Sequence, residues 1–80
     1  MIIQTTIFYK NPKTEELLGE EVQEYDEFIV DMNEVSGMTP YDGGKNTCLF
    51  LNGRDITVTE GYSHMKWLWA KAKKAEIQIL

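Results

Sequence analysis

The sequence predicts an α+β domain: a small antiparallel sheet of four or five strands with one helix, over about residues 61–75, packed across a face. Three observations predict it. Residues 2–9 alternate β-branched and aromatic side chains as a strand does. Asn52-Gly53 stands between two β-rich runs, the pattern of a tight hairpin. From Tyr62 onward apolar residues recur at helical spacing, and lysines gather at the end of the run. The chain has 80 residues, enough for one domain spanning 1–80 and no more.

In Ile2–Tyr9, Ile3, Thr5, Ile7 and Tyr9 fall on one face and Ile2, Gln4, Thr6 and Phe8 on the other. Apolar groups on both faces suit a strand central in its sheet or covered on both sides. Asn11-Pro12-Lys13-Thr14 reads as a turn. The acidic stretch 15–27 offers only Leu17, Leu18, Val22 and Tyr25 as large apolar groups, and an irregular strand over about 16–24 is the better reading. Ile29, Met32, Val35 and Met38 recur every three residues. That spacing fits a short strand from Phe28, a helical or 3-10 turn around 31–34 and a second extended piece.

Residues 39–44, Thr-Pro-Tyr-Asp-Gly-Gly, read as a loop. The hairpin follows, with arms at 47–51 and 54–59, and Asn52-Gly53 tolerates the positive φ of a type I′ turn. In the helix, Tyr62, Met65, Trp69 and Ala72 form the apolar stripe, widened by Leu68 and Ala75, with Thr59 or Ser63 available as a cap. Residues 76–80, Glu-Ile-Gln-Ile-Leu, alternate like a strand that returns to a sheet edge.

Composition narrows the setting. Hydrophobic residues make up 42% and charged residues 26%, the proportions of a folding chain rather than a disordered one. A single cysteine, Cys48, leaves no intrachain disulfide. The N-terminal residues lack a signal-peptide pattern, and no apolar run reaches the roughly 18 residues of a membrane span. The expectation is a soluble cytoplasmic protein, of bacterial or phage type, with no membrane association. The net charge of −5 divides unevenly: residues 1–44 carry −8 and residues 45–80 carry +3. Two solvated faces of opposite sign within one fold explain this, as does a dipolar protein that meets a charged partner.

The order Val35-Ser36-Gly37-Met38, a strand, Leu51-Asn52-Gly53, the run Ile56-Thr57-Val58-Thr59-Glu60 and an amphipathic helix resembles the flagellar regulator FlbD family. More loosely, it resembles the strand pattern of LytTR DNA-binding domains. The resemblance covers residues 28–69, about half the chain, and leaves residues 1–27 unmatched. It implies an arrangement of elements and assigns no functional residue. The loop Tyr41-Asp42-Gly43-Gly44-Lys45 carries one acid and one base, where a LytTR domain would carry basic contacts.

No chemistry-bearing constellation stands out. His64 is the only histidine, which excludes a paired-histidine metal site, and it reads as a surface residue. Cys48 reads as a small packed strand residue; a Cys48–His64 dyad would lack an orienting third group. The acids Glu15, Glu16, Glu20, Glu21, Glu24, Asp26 and Glu27 lack the spacing of a calcium loop. Gly43-Gly44-Lys45 lacks the upstream glycine of a phosphate loop, and a strand rather than a helix follows it. No cofactor and no metal are expected, and the chain reads as a non-enzymatic protein.

The remaining signal is Trp67. Two residues on a helix subtend about 200°, so if Trp69 is buried, Trp67 points away from that core. It is then either covered by the C-terminal strand or exposed beside His64, Lys66, Lys71 and Lys74. The expected function is a protein-interaction module, an adaptor or inhibitor. It would dock through that face, through the acidic stretch with Glu20, Glu21, Glu24 and Glu27, or through both. Pairing of a 76–80 edge strand would permit a homo-oligomer. The alternative is a nucleic-acid-binding regulator, marked by a continuous basic surface of Arg54, Lys66, Lys71 and Lys74. A small enzyme would need a pocket near Cys48, His64 and Tyr62.

Overall fold

The computed structural model describes residues 1–10, 19 and 23–80. Among these residues, five strands form one antiparallel sheet: β1 (Ile2–Lys10), β2 (Gln23–Asp31), β3 (Val35–Tyr41), β4 (Asn46–Leu51) and β5 (Arg54–Val58). One helix, α1 (Tyr62–Lys73), follows β5. The sheet order is β2-β1-β5-β4-β3. The expected α+β architecture is thus the observed one, with five strands, and β1 lies inside the sheet as its two apolar faces required.

The hairpin at Asn52-Gly53 forms as its sequence dictates. Asn52 takes φ 47° and Gly53 φ 78°, the pair of positive values that a type I′ turn needs. Leu51 faces Arg54 across it, and Leu49 faces Ile56. Strand alternation then puts Thr47, Leu49, Leu51 and Val58 on one face, all buried.

Four elements depart from expectation. β2 is longer than a strand opening at Phe28 and begins at Gln23, while the predicted strand at 16–24 and turn at 11–14 fall largely outside the described residues. Residues 39–41 continue β3 rather than forming a loop, because β3 is an edge strand and Pro40 forfeits no bond to a further neighbour. The chain turns one step later, at the 3-10 turn Asp42–Gly44, where Gly44 holds φ 91°. Residues 76–80 form no strand, and Ile79 and Leu80 are fully exposed. They do not cover Trp67 as a strand, since alternation alone supplies no partner. At the start of α1, Gly61 is the capping residue and no side chain caps it, so neither Thr59 nor Ser63 has that role. Ala75 lies beyond the helix and is exposed, which shortens the predicted stripe.

The link between β2 and β3 shapes the molecule. These are the two edge strands, yet only the 3-10 turn Met32–Glu34 joins them. Four sheet spacings of about 4.8 Å would separate the edges by about 19 Å in a flat sheet. The four residue steps from Asp31 to Val35 reach at most about 14 Å. The register adds to the mismatch, because Asp31 is level with Ile2 at one end and Val35 with Leu51 and Arg54 at the other. The sheet therefore coils until its edges approach. Asp31 Oδ1 accepts hydrogen bonds from Asn33 N at 3.0 Å and Asn33 Nδ2 at 3.2 Å, capping that turn.

The core fills the inside of the coil: Val30, Met32, Val35, Leu49, Leu51, Val58 and, from the helix, Met65. Met65 is fully buried, worth about 2 kcal/mol in apolar burial, and Leu68, Trp69 and Ala72 pack beside it. Buried Thr47 donates to Glu60 O at 2.9 Å, tying β4 to the segment that leads into α1. Trp69 Nε1 donates to Val35 O at 3.1 Å and Lys73 Nζ to Asn33 O at 2.6 Å. The helix is thereby fastened to the turn that joins the two edges. No helix among the described residues is long and apolar enough to cross a membrane.

Candidate functional site

The outward face of α1 is set by its inward one. With Met65, Leu68, Trp69 and Ala72 directed to the core, the positions some 180° around the helix are Ser63, Trp67, Ala70 and Lys74. Trp67 is 57% exposed, whereas Trp69 is half-buried and bonded to Val35 O. The two indoles do lie on different sides of one helix.

Around Trp67 the neighbouring side chains are ordered against the ring. His64 stacks on it, with centroids 6.3 Å apart and planes at 21°. Lys71 Nζ sits 4.8 Å from the ring centroid, a cation–π contact. His64 Nδ1 is also 3.0 Å from Glu60 Oε2, four residues earlier. Lys66 leans the other way, its Nζ 4.9 Å from the centroid of Tyr62. A shallow hollow of about 370 Å³ is lined by Trp67, Ala70, Lys71, Lys74, Ala75 and Glu76. Trp67, His64, Lys71 and Lys74 therefore form one patch with Lys66 at its margin.

The other sequence-derived residues lie elsewhere. Arg54 lines a separate hollow with Ser36, Phe50, Gly53 and Asp55 at the hairpin. Glu20 and Glu21 fall outside the described residues. Glu24 pairs with Tyr9 and Glu27 with Thr6 in the β1–β2 register, so the two acids project to opposite faces of the sheet. Asp26 accepts a 2.9 Å hydrogen bond from Tyr9 Oη, and this bond, with the charges of Asp26 and Glu24, pushes the phenol up to about 12.

Cys48 and His64 are separated by the sheet itself. Cys48 alternates with buried Thr47 and Leu49 and so faces away from α1. Its Sγ lies 3.8 Å from Asp55 Oδ2, and burial followed by the Asp55 charge raises its pKa. This is a thiol held neutral, with the Asp55 carboxylate beside it. Among the described residues no group of three or more His, Cys, Asp or Glu side chains could hold a metal ion.

The sequence reading passed over a second surface, on the sheet face away from α1. Phe8 lies between Tyr25, at 6.1 Å and 42°, and Tyr41, at 5.6 Å and 57°. Ile29 and Phe50 are exposed on the same face, and the Phe50 ring lies across Gly37, where an added Cβ would meet it at 3.7 Å. The only signal in the sequence was Phe8 on the opposite face of β1 from Ile3 and Ile7. That Tyr41 reaches it depends on the coil of the sheet. Comparison with protein families, with curated proteins and with solved structures gives no match to this chain.

Proposed function

We propose that this chain is a non-enzymatic interaction module that docks the Trp67 face of α1 onto an acidic segment of a protein partner. The observation that supports this most directly is the exposed indole of Trp67, bracketed by the stacked His64 ring and the Lys71 ammonium. Exposed tryptophan beside cations suits an anchor that enters an apolar notch while the lysines meet carboxylates at its rim. His64 and Lys71 hold the ring from two sides, so little side-chain freedom is lost on binding.

The test uses the intact chain as bait with Trp67→Ala and Tyr25→Ala as comparison baits. A partner retained by the native protein and by Tyr25→Ala, lost with Trp67→Ala and released by raised salt supports the reading. Retention by Trp67→Ala would defeat it. A Trp69→Phe variant leaves Trp67 as the only indole, and its emission should be quenched freely by acrylamide until an acidic partner binds. If the retained species is single-stranded nucleic acid, stacking on Trp67 beside Lys71 and Lys74 is the function instead.

A further inference from the structure

The turn that closes the hairpin brings two reactive groups together. Asn52 and Gly53 are both exposed, and among the described residues nothing holds the Asn52 amide. The β4–β5 ladder closes on Leu51 and Arg54, so the Gly53 N–H points past the last pair and donates to neither strand. Where a Gly53 Cβ would stand there is nothing within 4 Å. A side-chain amide carbon and an uncommitted backbone nitrogen thus sit one residue apart in an open turn. A hollow of about 460 Å³, walled in part by Gly53, Ser36 and Arg54, admits water beside them.

We infer that Asn52 is a site of spontaneous covalent modification, where the chain deamidates itself at the hairpin turn. The Gly53 nitrogen gives up its proton and attacks Asn52 Cγ. A C–N bond forms, and the side-chain nitrogen leaves as ammonia with that proton, closing a cyclic succinimide. One water then adds across either ring C–N bond and leaves an aspartyl or an isoaspartyl residue. Neither step needs an oxidant or a reductant. Either product adds a carboxylate next to Arg54, and the isoaspartyl one also lengthens the backbone by a methylene. That methylene enters a turn whose two residues are held at positive φ. Leu51, at the mouth of the turn, belongs to the core, so the isoaspartyl form loosens a pair that the interior leans on. The other asparagines lack the arrangement. Asn11 precedes Pro12, whose nitrogen has no proton to give. Asn33 Nδ2 is engaged, donating to Asp31 Oδ1 at 3.2 Å. Asn46 has its amide turned to donate to Lys45 O and Thr59 O, and it precedes β-branched Thr47, which pairs with Val58.

The experiment incubates the intact folded chain in mildly alkaline buffer, beside Asn52→Gly and beside the native chain unfolded in urea. Intact mass and peptide mapping follow all three. The folded chain should gain the mass of –OH over –NH2 at Asn52, faster as pH rises, with an isoaspartyl share that an isoaspartate methyltransferase labels. Asn52→Gly keeps a dipeptide that tolerates positive φ and should lose the gain entirely. Asp42-Gly43 can form the same ring only by losing water, which hydrolysis returns, so it leaves the mass unchanged. Exchange of the Leu51 amide should quicken in the isoaspartyl fraction. The inference fails if the folded chain keeps its mass, whether or not the unfolded chain changes. It fails equally if the change maps to Asn33 or Asn46, or if Asn52→Gly gains as much.

Discussion

Thr5 places a hydroxyl where there is nothing to receive it. Its Oγ1 is buried and has no hydrogen-bond partner among the described residues. Replacing it with valine keeps the shape and removes the unpaired polar atom, so Thr5→Val should stabilise the fold by about 1 kcal/mol in urea unfolding. Tyr9 shows the opposite arrangement, a polar group held by too much acid. Its pKa of about 12 lies above the ordinary value of 10.0 because the phenol donates to Asp26 and ionising it would set like charges together. A folded-state value raised above the unfolded one contributes stability that is complete below pH 10 and is lost as pH rises through 12. Absorbance titration of tyrosinate should show Tyr9 ionising near 12, and Asp26→Asn should bring it back towards 10. Both effects lie outside what the sequence discloses, since Tyr9 and Asp26 are seventeen positions apart and meet only through the β1–β2 register.

At the scale of elements, what could be read was what is encoded locally. Asn52-Gly53 specified its own turn, and the three-residue spacing of Met32 and Val35 marked a helical or 3-10 turn that proves to be 3-10, because both depend on neighbours in the chain. The helix was legible from its stripe, and with it the opposed placement of Trp67 and Trp69. Elements that depend on distant partners were not. Residues 76–80 alternate like a strand and find no strand to join, whereas 39–41 contain a proline and still pair with β4, since an edge tolerates it. The fastening of α1 was equally invisible, with Trp69 and Val35 thirty-four positions apart. Trp69→Phe removes the indole donor to the Val35 carbonyl. It should cost about 1 kcal/mol or more, read as a lower urea midpoint with an unchanged slope.

The whole molecule presents two unlike sides. α1 carries tryptophan and lysines outward, while the far side of the sheet carries tyrosines, phenylalanine and carboxylates. Among the described residues, the uneven charge of the two halves of the sequence corresponds in part to lysines on α1 and to Asp42 and Asp55 beyond the sheet. The acids of β2 were misjudged as one surface, because strand alternation sends Glu24 and Glu27 to different sides.

The Met32–Glu34 link joins both borders of the sheet, and Lys73 and Trp69 grip the backbone on either side of Glu34. Whatever lifts the helix releases both hydrogen bonds from that link, while the chain itself still holds the borders together. Deuterium uptake at the Val35 amide, bonded to Met32 O, should then keep pace with uptake in the last turn of α1, and both should quicken together in Trp69→Phe. The stitch between the borders is covalent, and the helix is the cover fastened over it.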